Sequence, residues 1–277
     1  MLSHVLGRYP HWGPCSSVML PSVSFLGNSI PSYWLCSLLG IIVCLGVALL
    51  NRHRFREIDQ VDLTNSVALS CIGMVIGARL LYIITISPSL IKNIHTITRD
   101  IELAYKILSN GLVFYGGLFG AIASIYLYTK KYQLSASLFF DYYSPLFPLF
   151  HAFGRIGCFL TGCCYGKESS HFGIAFHACE IAPNNVPLIP VQLIGSILNL
   201  LLFAFLLLFE RSHHKKGETI YWYLLFYSIG RFFIEFLRGD VYRGIFLSLS
   251  SSQWISILIL IALTFRFAQT RKSYRVA

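Results

Sequence analysis

Apolar residues along this chain come in long blocks separated by short polar connections. Seven blocks approach the roughly 20 residues that a helix needs to cross a bilayer: about 33–50, 65–88, 111–129, 138–162, 190–209, 219–237 and 253–268. The pattern predicts an all-α, polytopic membrane protein with seven transmembrane helices. Residues 1–277 would form a single integral membrane domain, with an outer N-terminal arm over 1–30, a seven-helix core over 30–268 and a basic cytoplasmic tail over 269–277. Pro145 and Pro148 interrupt the fourth block, which a membrane helix tolerates when its neighbours satisfy the freed carbonyls. Two connections are long. The one over 89–110 carries Ile91, Ile94, Ile97, Ile101 and Leu103, the spacing of a helix lying on the membrane surface. The one over 163–189 is richer in His, Asn and Pro and reads as irregular. There is no internal repeat and no soluble domain.

Composition supports this reading. Of 277 residues, 55% are hydrophobic and 12% charged, about half the charged share of a soluble domain, too little to coat a globule in water. The net charge of +10 would suggest nucleic acid in a soluble protein. Here the basic residues sit mostly in short connections, so the bilayer and its anionic lipid are the expected partners and nucleic acid is not. With the N-terminus outside, the cytoplasmic connections hold Arg52, Arg54, Arg56, Lys130, Lys131, Arg211, Lys215, Lys216, Arg266, Arg271, Lys272 and Arg275. These outnumber Arg8, Lys92, Arg99, Lys106, Lys167, Arg238 and Arg243 on the other side. The positive-inside rule therefore places the N-terminus outside and the C-terminus in the cytoplasm. Residues 1–30 contain Pro10, Pro14 and Pro21 and lack a basic segment followed by an apolar core, so they are not read as a cleaved signal peptide.

Candidate chemistry lies inside the spans, where a charge costs about 2.5–3.5 kcal/mol on insertion scales and is a functional hypothesis by default. Arg79, Arg155, Arg231 and Glu235 are the clearest cases. Tyr227, Arg231, Glu235 and Arg238 fall within about an 80° arc of one helix, a polar stripe that is either a site or a buried ion pair fixing helix packing. Gly154, Gly157, Gly162 and Gly166 surround Arg155. They admit a backbone bend or the close approach of a ligand, and a guanidinium there suits a phosphate; the alternative is a glycine-lined helix crossing with a snorkelling arginine. Gly116 and Gly120 by themselves signal close helix packing. Arg79 has Tyr82 on the same face. Of the eight cysteines, Cys36, Cys44 and Cys71 lie in spans as small hydrophobes. No paired CxxC module occurs, so neither a zinc site nor any cofactor is expected. Cys163 and Cys164 either oxidise with Cys179 on the outer side or stay free thiols beside a glycine turn.

These segments resemble the prolipoprotein diacylglyceryl transferases of bacteria. Gly154-Arg155-Ile156-Gly157, ending at Gly166, is similar to that family's signature, and Tyr227 to Asp240 to its second diagnostic segment. Gly77-Ala78-Arg79 resembles its Gly-Gly-Arg, Tyr115-Gly116-Gly117 its His-Gly-Gly, and Pro190-Val191-Gln192-Leu193 its Pro-Ser-Gln-Leu. Tyr33 stands where the family has a tyrosine. The match runs over about residues 30–245. It implies seven membrane helices with the N-terminus outside, in the bacterial cytoplasmic (inner) membrane, and transfer of the diacylglyceryl group of phosphatidylglycerol to the lipobox cysteine of a prolipoprotein. A thioether forms and glycerol phosphate leaves. The partners implied are phosphatidylglycerol and the signal-peptide and lipobox region.

By the same resemblance Arg155 and Arg231 stabilise the leaving phosphate, Glu235 orients Arg231, and Tyr115 holds the place of the catalytic histidine. Tyr33, Arg79, Gly116, Gly117, Gly157, Gly166, Gln192, Tyr227 and Arg238 contact substrate. Tyr115, Cys158, Cys163, Ile194 and Gly195 depart from the family's usual His, Asn, Glu, Tyr and Glu. A neutral phenol is a poor base toward a thiol. His151, one turn before Arg155, supplies an imidazole that either takes the thiol proton or bonds a neighbouring helix. Two rival readings differ in class. A catalytically silent protein of the same fold would bind phospholipid, which the lost histidine favours. A small transporter would show internal repeats, which the chain lacks.

Overall fold

The computed structural model describes residues 22–25, 28–92, 113–176, 181–212, 215–240 and 245–276. The connection over 93–112, with most of the expected surface helix, lies outside the described residues, as do most of the N-terminal arm and Cys179. The chain is mostly helical. A hairpin of β1 (Ser22–Phe25) and β2 (Asn28–Pro31) leads into α1 (Ser32–Asn51), followed by α2 (Gln60–Lys92), α3 (Phe114–Lys131), α4 (Ala136–Tyr143) and α5 (Leu146–Leu160). Then come β3 (Ile174–Ala175), β4 (Pro187–Leu188), α6 (Val191–Phe209), α7 (Glu218–Leu237), β5 (Ile245–Phe246), β6 (Leu249–Ser250) and α8 (Ser251–Val276).

Every apolar block forms helix, and among the described residues four helices are long and apolar enough to cross a membrane: α1, α2, α6 and α7. Their outer faces carry exposed apolar side chains such as Leu38, Ile42 and Leu49 on α1 and Ile72, Val75 and Ile76 on α2, which suits lipid rather than water as solvent. The fourth block is two helices. The chain turns at Ser144–Pro145, and Pro148 sits in the first turn of α5, where its missing N–H is an orphan in any helix. Helix α8 runs on through the basic tail to Val276. The connection over 163–189 is more regular than its composition suggested. Strands β3 and β4 pair antiparallel, and Phe176, Ala182 and Leu188 pack with Phe159 of α5 in a small apolar core.

Two compact units are present, one over 56–140 and the other over 22–55 and 141–276 among the described residues. In the first, α2 and α3 are in backbone contact. A Cβ placed on Gly77 would strike the Gly116 carbonyl, one on Gly116 the Gly77 carbonyl, and one on Gly120 the Gly73 carbonyl. Only glycine permits this approach, the small-residue packing mode of membrane helices. The Tyr128 hydroxyl donates to Asp62 Oδ1 at 2.8 Å at the other end of the pair.

In the second unit, α5 is the central helix, packed on both α1 and α6, and α7 packs on α6 and α8. Helices α1 and α5 meet closely at Gly40, where a Cβ would lie 2.9 Å from Phe153 Cβ, and at Gly157, where it would lie 3.1 Å from Tyr33 Cδ2. The N-terminus of α7 is capped from a distance: Asp141 accepts from the N–H of Gly217 at 2.6 Å and of Thr219 at 3.1 Å. This satisfies two otherwise orphaned donors and places a carboxylate at the positive end of the helix.

A Gly77→Leu variant is expected to lose about 1–3 kcal/mol or more of stability, because the added side chain forces backbones apart in the seam. Gly46, with nothing within 4 Å of an added Cβ, is the control, and Gly46→Ala should hold or gain stability. Thermal unfolding of both variants in detergent checks the pair.

Candidate functional site

The polar stripe predicted on the sixth block is present on α7. Arg231 Nη2 pairs with Glu235 Oε2 at 3.0 Å, and Arg238 Nη1 reaches the same oxygen at 3.6 Å. Arg238 is also forked onto Asp240 at 2.9 and 2.5 Å. Arg231 Nη2 further donates to Ser252 Oγ on α8 at 3.1 Å. Glu235 is 3% exposed. Its charge is stable there because two guanidinium groups surround it; a lone buried carboxylate would cost several kcal/mol.

Arg155 faces this stripe from α5. It is buried and forms no ion pair with a carboxylate among the described residues. Between α5, α6 and α7 lies a cavity of about 390 Å³, lined by His151, Arg155, Asn199, Tyr227, Arg231 and a largely apolar remainder that includes Leu202, Phe205 and Phe226. Arg231 Nη1 is buried and meets no hydrogen-bond partner among the described residues. The cavity thus has two guanidinium groups on its wall and hydrocarbon over most of its lining. That combination suits an amphiphile with an anionic head.

His151 stands one turn before Arg155. Its ring lies 5.5 Å from that of Tyr227, and Asn199 of α6 is within hydrogen-bonding reach. Gly195, on the next turn of α6, faces the Arg155 side chain: a Cβ there would lie 3.6 Å from Nε.

Main-chain bonds tie the ends of α5, α6 and α7 together. Gly166 N–H donates to Ile189 O at 3.1 Å, Lys167 N–H to Leu237 O at 2.8 Å, and Gly239 N–H to Tyr165 O at 3.0 Å. A Cβ on Gly166 would strike Ile189 O, and one on Gly239 would strike Gly166 O, so both positions are held to glycine by the crossing itself. The Gln192 amide donates to Cys163 O at 2.7 Å and adds a fourth tie.

Helix α5 ends in a Schellman turn. Cys163 N–H bonds Cys158 O at 3.0 Å, Gly162 N–H bonds Phe159 O at 3.1 Å, and Gly162 takes the left-handed conformation at φ 69°. This turn puts the residues flanking it side by side; here they are Cys158 and Cys163. Cys164 is also left-handed, at φ 56°, and completes a group of three thiols whose sulfurs all lie within 4.8 Å of one another. All three cysteines are free. Hydrogen bonds from Cys158 and Cys163, with the charges of Arg238 and Arg155, hold the Cys164 thiol well below its ordinary range against the opposing pull of burial.

The second unit therefore brings together Arg155, Arg231, Glu235, Arg238, Tyr227, His151, Gly157, Gly166, Gln192 and Tyr33. Arg79, Tyr115, Gly116 and Gly117 belong to the other unit. There Gly116 and Gly117 face α2 in the seam, Tyr115 is buried and stacks with Phe119 at 5.9 Å, and Arg79 acts on Tyr82 one turn along. Asn199 and the three-thiol group had no place among the expected site residues. The cluster was legible in principle, since a glycine following a helix signals the Schellman turn, and Cys158 and Cys163 are the pair that turn juxtaposes.

A family model described as prolipoprotein diacylglyceryl transferase matches residues 21–268. A protein of Clostridium perfringens named phosphatidylglycerol–prolipoprotein diacylglyceryl transferase 2 is 41% identical over 85% of this chain and 89% of its own length. Proteins carrying the name phosphatidylglycerol–prolipoprotein diacylglyceryl transferase from Clostridium tetani and Idiomarina loihiensis are 37% and 35% identical, over 87% and 69% of this chain and 93% and 69% of theirs. The chain belongs to the prolipoprotein diacylglyceryl transferase family. The matched residues include both arginine-bearing helices, the residues lining the cavity between them and the main-chain ties at their ends.

Glu235→Ala is expected to destabilise the protein by about 3–5 kcal/mol, since it leaves Arg231 and Arg238 buried without their shared carboxylate. The double variant Arg231→Met with Glu235→Met should recover part of the loss. Unfolding temperatures of the three proteins in one detergent measure it.

Proposed function

We propose that this chain transfers the diacylglyceryl group of phosphatidylglycerol to the lipobox cysteine of prolipoproteins, forming a thioether and releasing glycerol phosphate. The relatives' names support this reading, and the observation that carries it is the cavity. Two guanidinium groups, buried Arg155 with no carboxylate partner among the described residues and part-buried Arg231 with an unpartnered Nη1, border a largely apolar space.

In this reading Arg155 and Arg231 grip the phosphate, and the acyl chains lie along Leu202, Phe205 and Phe226. As the glyceryl C–O bond breaks, negative charge grows on the phosphate oxygen, and the two guanidinium groups stabilise it most where water is excluded. Glu235 orients Arg231, Tyr227 donates to lipid oxygens, and Arg238 with the glycines around it keeps the helix ends in register. His151 is a positioning residue here, joining α5 to Asn199 of α6 at the cavity wall. In this reading the chain spans the bacterial inner membrane seven times with its N-terminus outside, which the distribution of Lys and Arg supports. The prolipoprotein then meets the three-thiol end of α5 from the outer side.

Labelled phosphatidylglycerol and a lipobox peptide test the reaction. The native protein is expected to give thioether, and Arg155→Ala to lower the rate by about 10²–10³, the usual cost of removing a charge-stabilising donor. Gly230 lines the cavity with nothing within 4 Å of an added Cβ; Gly230→Leu should fill the space and depress transfer with little change in unfolding temperature. Native protein that is folded yet inactive on several phospholipids and peptides would instead favour a silent lipid-binding role. His151→Ala is expected to reduce transfer by less than about tenfold, with His151→Gln restoring it through the Asn199 contact. Complete loss in both variants would reassign His151 as the base.

A further inference from the structure

The reaction needs a thiolate, and by the resemblance noted above Tyr115 stands where the family has the histidine that would take the thiol proton. The turn at the end of α5 supplies a different solution. We propose that Cys158, Cys163 and Cys164 hold a zinc ion whose fourth coordination position receives the lipobox thiol. The proposal rests on the transferase reading above.

The geometry needs little adjustment. Tetrahedral zinc with Zn–S bonds of about 2.3 Å sets sulfurs about 3.8 Å apart, and the three sulfurs here already lie within 4.8 Å of one another. Side-chain rotation closes the difference, since two of the three cysteines lie on the turn beyond the helix. Three thiolates and a divalent ion carry one net negative charge, and Arg155 and Arg238 lie close enough to act on Cys164 electrostatically. Thiolate donors select zinc over magnesium or calcium. Three protein ligands with an open fourth position is the pattern of catalytic rather than structural zinc. Cys158 follows Arg155 by three residues on the same face of α5, so a substrate sulfur on the metal lies next to the guanidinium that grips the phosphate. The C-x4-C-C spacing is not one of the paired modules by which zinc is read from sequence, and only the Schellman turn gathers it.

The chemistry balances. The lipobox thiol displaces water from zinc and loses its proton to solvent at the outer face, because a coordinated thiol is deprotonated at neutral pH. The zinc-bound sulfur attacks the glyceryl carbon and forms the C–S bond. The C–O bond to phosphate breaks, and its electron pair leaves with glycerol phosphate between Arg155 and Arg231. The thioether product is neutral, a weaker ligand, and dissociates from the metal. No oxidant or reductant is consumed.

The test uses full-length protein in nanodiscs, reduced anaerobically, with zinc content measured and cobalt exchanged into the site. One zinc per chain is expected, with the intense visible bands of tetrahedral cobalt–thiolate. The bands should shift on adding a lipobox peptide but not its Cys→Ser analogue. Cys163→Ser and Cys164→Ser should each lose the metal, whereas Arg155→Ala should keep it while losing transfer. Removing zinc with a chelator should abolish transfer, and zinc should restore it. Native protein that takes up no zinc or cobalt after reduction, or transfers at full rate without metal, overturns the proposal and leaves the transferase reading intact. Binding of copper(I) alone, with no response to peptide, also overturns it. Stoichiometric, peptide-responsive metal in a protein that makes no thioether would instead sink the reaction assigned above while the thiol site stands.

Discussion

Positive charge buried in an apolar surrounding must be met by negative charge, and the second unit is organised around that requirement. Arg155, Arg231 and Arg238 converge where three helices end or pass. Glu235 is the one carboxylate among the described residues that pairs with two of them, and Asp240 takes the outer fork of Arg238. Among the described residues the arrangement leaves Arg155 without a carboxylate and Arg231 with a spare donor, both on the cavity wall. In a medium of low effective dielectric that surplus is a strong standing attraction for an anion. Glu235 is the part that keeps the surplus tolerable, because without it the guanidinium groups would repel one another at close range.

The backbone is shaped to hold those charges in place. Gly157 lets α1 approach α5, and Gly166 and Gly239 let the chain after α5 cross the end of α7. The ties from Gly166, Lys167 and Gly239 use main-chain groups that would otherwise be unsatisfied near a membrane. The three helix ends share one set of hydrogen bonds, and preorganisation of charge is what makes it effective in catalysis. The same turn that closes α5 gathers the three thiols. The arginines and the thiol cluster therefore lie together where the ends of α5 and α7 are tied.

The other unit is held by a different force. Helices α2 and α3 meet through Gly73, Gly77, Gly116 and Gly120, with carbonyls where side chains would stand. Lipid gives little hydrophobic reason for two helices to associate, so close van der Waals contact carries the packing. That explains why the glycines of the Gly-Gly motifs are occupied by helix contact, whatever Tyr115 and Arg79 do at their ends.

Hydropathy alone determined the helices, since each apolar block is one or two of them, and the 3.6-residue period placed Tyr227, Arg231, Glu235 and Arg238 on one face. Both signals are local: length against bilayer thickness, and angle per residue. Other features depended on contacts distant in sequence. The capping of α7 by Asp141 from 76 residues away and the meeting of His151 with Asn199 could not be read from periodicity. The hairpin of β3 and β4 was hidden in a segment whose composition suggested irregular chain. The three-thiol cluster was the hardest to see, because C-x4-C-C is not one of the paired spacings by which a thiol site is read from sequence. The sulfurs meet only because a left-handed glycine folds the residues after a helix back onto its last turn, while the tertiary crossing at Gly166 and Gly239 holds them beside two arginines.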